Sequence, residues 1–284
     1  MKNFLAALLV TGALYSGNVV AQIQTPQPSP SATVQQVVGI TNFTINYSRP
    51  GAKGRTVFGD VVPFGKVWRT GANSATMLTI DDKIKLEGNE IPAGKYSIFT
   101  IPDKTEWTVI VSKDVSGSSS LAEGMDLVRF KVKTQALAMN VETFTIGLAN
   151  FTNTAATLDM MWEKTAISMK VETDPDVKIS EQIKKAMTNP LGQAAQNYYQ
   201  SATYYYENGK ELKQALEWIN KATEINKTAF WMVRMKSLIQ AKMGDYKMAI
   251  ESAELSKKMS AEAKNDEWVK MNETSIAEWK KLVK

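Results

Sequence analysis

The chain reads as a multidomain β + α protein, an antiparallel β-sandwich or flattened barrel followed by an α-helical domain of repeated hairpins. Three observations predict this. From about residue 32 to residue 173, apolar and polar side chains alternate at period two. Beyond Asp174-Pro175-Asp176 that alternation stops, and apolar residues recur three or four apart. Within the second part, Gly209 recurs at Gly244 and Ala215 at Ala249, an internal repeat.

The chain opens with Lys2, an apolar run from Phe4 to Val10 resuming at Ala13 and Leu14, and the small residues Val19-Val20-Ala21. This is the layout of a secretory signal peptide over residues 1–21, cleaved after Ala21. A membrane anchor needs about 20 uninterrupted apolar residues, and Gly12, Ser16, Gly17 and Asn18 break the run. The mature chain is therefore expected to be exported, periplasmic or extracellular. With no Cys to carry a lipid, it is not expected to be a lipoprotein. Residues 22–31 hold Pro26, Pro28 and Pro30 among Gln, Thr and Ser, the composition of an extended tether.

The β domain, residues 32–173, is built from segments such as Phe43, Ile45 and Tyr47, then Trp107, Val109 and Val111, then Phe144, Ile146 and Leu148, then Leu158, Met160 and Trp162. Turn chemistry separates them, at Asp81-Asp82-Lys83, Glu87-Gly88-Asn89, Pro92-Ala93-Gly94 and Pro102-Asp103-Lys104. The pattern predicts nine or ten short strands. In the helical domain, residues 174–284, Gly244-Asp245-Tyr246 followed by Ala249-Ile250 resembles the turn and second-helix start of a tetratricopeptide repeat, and the repeat length agrees. A last helix from about Ala261 to Val283, carrying Trp268 and Trp279, is expected to cap the stack. Tyr198, Tyr199, Tyr204, Tyr205 and Tyr206 cover most of one helix circumference, either as interhelix packing or as an aromatic docking surface.

Composition excludes several chemistries. The chain has no Cys and no His, which removes Ser-His-Asp and Cys-His nucleophiles, His-based zinc sites and Cys-based redox or metal sites. No Gly-x-Ser-x-Gly elbow is present, and Gly59 to Gly65-Lys66 has the wrong spacing and lacks the Ser/Thr of a phosphate-binding loop. The acidic residues Asp81, Asp82, Glu87 and Glu90 suit hairpin turns better than a calcium site. No catalytic residue, metal site or cofactor is assigned. The net charge of +5 is spread over balanced segments, with 15 basic and 14 acidic side chains in residues 22–173 and 18 and 15 in residues 174–284. A nucleic-acid partner would demand a dense basic face.

One stretch stands out. Of only five Arg in the chain, Arg49, Arg55 and Arg69 fall between Tyr47 and Asn73, among five Gly and two Pro. Where Lys is the default cation, clustered Arg implies a need for the planar, bidentate guanidinium. That need arises when a loop must be pinned through its carbonyls, with Trp68 and Phe58 filling the core beneath. It arises equally when a carboxylate or phosphate is recognised. The candidate ligand-binding residues are Arg49, Arg55, Lys66, Trp68, Arg69 and Asn73.

The same stretch carries a resemblance. Tyr47-Ser48-Arg49-Pro50, Gly54-Arg55-Thr56-Val57-Phe58-Gly59, the run from Pro63 to Asn73 and the run from Pro92 to Pro102 are similar to the defining blocks of the bacterial domain of unknown function 2911, over about residues 30–172. The resemblance implies an exported β-rich domain typical of Bacteroidota, sometimes followed by tetratricopeptide-like helices, with no assigned activity.

The expected function is that of an exported, non-enzymatic binding or scaffold protein of the cell envelope. Its β domain would take an anionic small molecule or glycan, and its helical repeats a protein partner. The alternative is a hydrolase independent of His and Cys, acting on an envelope or extracellular polymer. A pocket bringing two carboxylates, or a Lys and a Tyr, next to Arg69 would favour that alternative.

Overall fold

The computed structural model describes residues 25–188 and 194–283. The signal-peptide assignment to residues 1–21 lies outside the described residues. The chain divides into two compact units between Thr173 and Asp174.

The first unit contains nine strands: β1 (Ser31–Val38), β2 (Thr41–Ser48), β3 (Thr76–Ile80), β4 (Ile84–Leu86), β5 (Asn89–Ile91), β6 (Gly94–Ile101), β7 (Glu106–Ser112), β8 (Asp126–Ala149) and β9 (Ala155–Thr173). They pair antiparallel in the order β1-β2-β3-β6-β7-β8-β9-β4-β5. Period-two alternation is nearly complete in β2, where Thr41, Phe43, Ile45 and Tyr47 are buried and their neighbours are not. The expectation of uniformly short strands needs correction, because β8 has 24 residues and β9 has 19. Strand β8 pairs with β7 through Asp126–Lys133 and with β9 from Thr134 onward, with register shifts at Ala136/Val141 and Val141/Thr145. Such bulges bend and twist a strand, and they let β8 pass from one half of the sheet to the other. The run Ala136-Leu137-Ala138-Met139 at the first shift has no period-two alternation to read.

The two halves close on one apolar core. Phe43, Ile45, Leu78 and Ile98 meet Phe144, Ile146, Leu158 and Ile167 in a single buried cluster. Tyr47 on β2 reaches β8, where its hydroxyl donates to the Ile146 carbonyl at 3.3 Å and accepts the Ile146 N–H at 3.0 Å. At the β1–β2 turn Gly39 has φ +61°, and a Cβ there would lie 2.5 Å from Thr173 Oγ1, so only glycine fits.

The second unit holds α1 (Asp176–Thr188), α2 (Ala195–Glu207), α3 (Leu212–Ile225), α4 (Phe230–Lys242), α5 (Tyr246–Glu262) and α6 (Asp266–Lys280). Each of α2 to α5 packs on its successor. Ala215 and Ala249 occupy equivalent places in α3 and α5 and are fully buried, which permits close helix approach. The expected single helix from Ala261 is also corrected. Lys264 adopts φ +55° and Asn265 caps the next helix by accepting the Trp268 N–H, so α5 ends at Glu262 and α6 starts at Asp266. The tyrosines of α2 pack between elements: Tyr198 is buried, Tyr205 meets Trp218 edge-on at 4.8 Å, and Lys242 lies 4.5 Å over Tyr206.

Helix α1 buries no residue fully. Its N-terminal Asp176 accepts from Lys210 Nζ and Tyr204 Oη, each at 2.6 Å. Those bonds, Lys210 first and then Tyr204, hold the Asp176 carboxyl below its ordinary range.

Two outcomes follow from these contacts. Tyr47→Phe leaves the buried Ile146 N–H without its acceptor and should cost about 1–3 kcal/mol, read as a lowered urea midpoint of the β domain. Because the folded pKa of Asp176 is depressed, its contribution is present above the unfolded value of about 3.9 and is lost as pH falls through the folded one. Protection of the α1 amides against exchange should therefore fall below about pH 3.9, and Asp176→Asn should lower it at neutral pH.

Candidate functional site

The long connection from β2 to β3, residues 49–75, carries every candidate site residue, and it behaves as two halves. The first half is stitched to β8. The Phe144 N–H donates to the Pro50 carbonyl at 2.9 Å, the Ala52 N–H to the Glu142 carbonyl at 2.8 Å, and the Glu142 carboxylate accepts the Lys53 N–H at 2.7 Å. Glu163 does the same for the Val57 N–H at 3.0 Å. Arg49 adds a fork, with Nε donating to the Phe144 carbonyl at 3.2 Å and Nη2 to Thr145 Oγ1 at 2.9 Å. Arg55 closes its own turn onto the carbonyls of Ala52 and Gly51, each at 3.0 Å.

The second half runs beside β6. Trp68 exchanges backbone hydrogen bonds with Thr100, at 2.7 and 2.8 Å, and the Gly65 N–H donates to the Pro102 carbonyl at 2.9 Å. The Trp68 indole N–H is used within the loop, on the Gly71 carbonyl at 2.9 Å. Its ring enters an aromatic cluster, 5.0 Å from Phe144, 6.0 Å from Trp107 and stacked at 5.9 Å on Trp162. Next to it, Thr70 is fully buried at φ +56°, a conformation costly for a β-branched residue. Hydrogen bonds hold it there: its hydroxyl meets Thr100 Oγ1 at 3.1 Å, and its carbonyl accepts from Thr76 Oγ1. Asn73 ties the loop to the incoming tether through the Ser29 carbonyl at 3.3 Å and to Ser48 Oγ at 3.2 Å.

Between the halves lies a cavity of about 380 Å³. Of the six candidate residues the structure brings four to its wall, Arg55, Lys66, Trp68 and Arg69. Arg49 and Asn73 are not among its lining and instead pin the loop. No Asp or Glu lines the cavity. The Arg69 Nε–H is buried without any hydrogen-bond partner, and none of the ion pairs among the described residues involves Arg55, Lys66 or Arg69. A cationic wall without a counter-charge is chemically suited to an anion.

Sequence reasoning missed Ser29, Ser119 and Trp162, which also line the cavity. Ser29 belongs to the tether and Ser119 to the β7–β8 connection, distant in the chain and without a pattern to signal them. The Arg contrast within a Lys-rich chain was the one usable signal. Among the described residues no group of three or more acidic side chains could hold a metal ion. The turn carboxylates serve the backbone: Asp81 accepts from Asn42 N and Glu87 from Lys170 N.

Fold and site together define a class: an antiparallel β domain whose loop frames a carboxylate-free, cationic cavity, followed by a unit of helical hairpins. The family model described as "Protein of unknown function (DUF2911)" matches residues 29–171, just over half of the chain, and the protein belongs to that family. No curated protein and no solved structure matches the chain.

The two kinds of arginine should separate by mutation. Arg49→Lys cannot reproduce the fork to Phe144 and Thr145 and should cost about 1–3 kcal/mol. Arg69→Lys, which gives up no hydrogen bond at Nε, should stay within about 0.5 kcal/mol of wild type. Denaturant midpoints of both variants check the contrast.

Proposed function

We propose that this is an exported, non-enzymatic binding protein of the cell envelope whose β domain takes a small anionic ligand in the cavity beside Arg69. One observation carries the reading: Arg55, Lys66 and Arg69 share one cavity wall, where no carboxylate balances their charge. A bound anion would supply the counter-charge that this wall lacks. The cavity volume falls within the usual range for small-molecule clefts, about 300–1,000 Å³.

The hydrolase alternative requires acid and base groups at the site. No carboxylate and no tyrosine lines the cavity, which weighs against it. Export rests on the N-terminal Lys2, the apolar run and Val19-Val20-Ala21. No helix among the described residues is long and apolar enough to cross a membrane. The helical unit is read as tetratricopeptide-like from the Gly209/Gly244 and Ala215/Ala249 recurrences and the packing of successive helices. Its role would be contact with a protein partner.

A thermal-shift screen of carboxylated and phosphorylated compounds tests the anion site. A ligand present at a hundred times its Kd adds about 2.7 kcal/mol, equivalent to about 5–10 °C for a domain of this size. The rise should appear with wild type and shrink with Arg69→Lys. If no anion raises the midpoint at millimolar concentration, the binding reading fails.

A further inference from the structure

The cavity is not lined like a sugar site. Polyhydroxylated ligands need side-chain acceptors and donors for most of their hydroxyls, because an unpaired hydroxyl removed from water is costly. Apart from its three cations, the polar side chains offered by this wall are Ser29 and Ser119 alone, since the Trp68 indole N–H is already committed to the Gly71 carbonyl. The remainder is apolar. It includes Pro63 and two of the chain's exposed large hydrophobic residues, Val61 at 38% and Val67 at 48% exposure. These flank the half-buried ring of Trp68 in the same wall. Apolar side chains left open to solvent beside an unpaired guanidinium ask for a ligand with an acid at one end and hydrocarbon at the other.

We infer that the ligand is an amphiphilic organic acid. Its carboxylate or phosphate head meets Arg69, with Arg55 and Lys66 supplying further positive charge. Its acyl or aryl body lies against Val61, Pro63, Val67 and Trp68. The inference rests on the anion-binding reading given above and adds the class of ligand.

Arg69 supplies the strongest head-group contact. Both Arg55 Nε and Arg55 Nη2 are held by backbone carbonyls, so that residue offers its remaining nitrogen and its charge. Lys66 is exposed at the rim and offers a mobile charge. The strained Thr70, fixed by Thr100 and Thr76, keeps the adjoining Arg69 backbone in place whether or not a ligand is present. Full burial of one methylene is worth about 0.8 kcal/mol, close to fourfold in affinity. A chain of several methylenes against this wall is therefore a large and easily measured effect.

The test is calorimetric titration of the full chain with acetate, octanoate, phenylacetate, octyl phosphate, glucuronate and glucose 6-phosphate. Octanoate, phenylacetate or octyl phosphate should bind at least tenfold tighter than acetate and glucuronate. Val67→Ser, at an exposed position that the fold does not depend on, should weaken octanoate at least threefold while leaving acetate unchanged. Arg69→Lys should weaken every acid that binds. Comparison of octanoate with octyl phosphate identifies the preferred head group. If glucuronate or glucose 6-phosphate binds as tightly as octanoate, or if Val67→Ser leaves octanoate unchanged, the amphiphile is overturned while an anion site remains. If none of the six binds, the anion site is overturned as well.

Discussion

The structure of the β domain depends on the aromatic cluster in which Trp68, Trp107, Phe144, Trp162 and Phe58 meet. Phe58 lies 4.9 Å from Trp107 and 6.2 Å from Trp162, and Trp68 touches Phe144 and both other tryptophans. Two of these rings, Phe58 and Trp68, come from the β2–β3 connection, and the others come from β7, β8 and β9. Each such ring buries about 150–250 Å², so the connection is held as firmly as a strand although it has almost no regular structure. In a chain without cysteine, no disulfide could substitute for that packing. The cluster also contains an unpaired buried donor, the Trp107 indole N–H, which the surrounding packing must offset.

The bend of β8 makes the cluster possible. A straight 24-residue strand would carry Phe144 away from the loop. The register shifts near Val141 turn it so that Phe144 faces Trp68 while its backbone N–H donates to the Pro50 carbonyl. Positioning of the cavity therefore passes from bulge to aromatic ring to loop. Loop flexibility would be expected from its glycines, yet Gly71 is constrained: its φ is +147° and a Cβ would meet the Ser48 carbonyl at 3.0 Å. The glycines here serve close approach and left-handed backbone.

Much of this architecture was legible in the sequence because it follows from periodicity. Period two located β2, β7 and β9, and the change at Asp174 located the division into two units. The sequence was silent where structure arises from contacts between distant segments. Nothing in Leu137-Ala138-Met139-Asn140 announces a bulge, and the α5–α6 break depends on Lys264 taking a positive φ that lysine seldom adopts. At the site, the concentration of Arg marked the right loop but could not sort its members. Arg49 and Arg69 are chemically identical, and only the fold sets one against the Phe144 carbonyl and leaves the other without an acceptor.

That sorting bears on why an arginine should persist at position 69. A pinning arginine stabilises the fold through the carbonyls it meets, as Arg49 does. Arg69 has no such return at Nε, where the buried N–H finds no acceptor. Moreover, the adjoining Thr70 carries a strained backbone. Two local penalties side by side, both maintained by well-packed surroundings, are the arrangement expected where a site is prepared in advance for a ligand. A protein selected for stability alone would replace Arg69 with a smaller polar residue and Thr70 with glycine or asparagine. On the proposed reading, a bound anion supplies the counter-charge that the polypeptide does not.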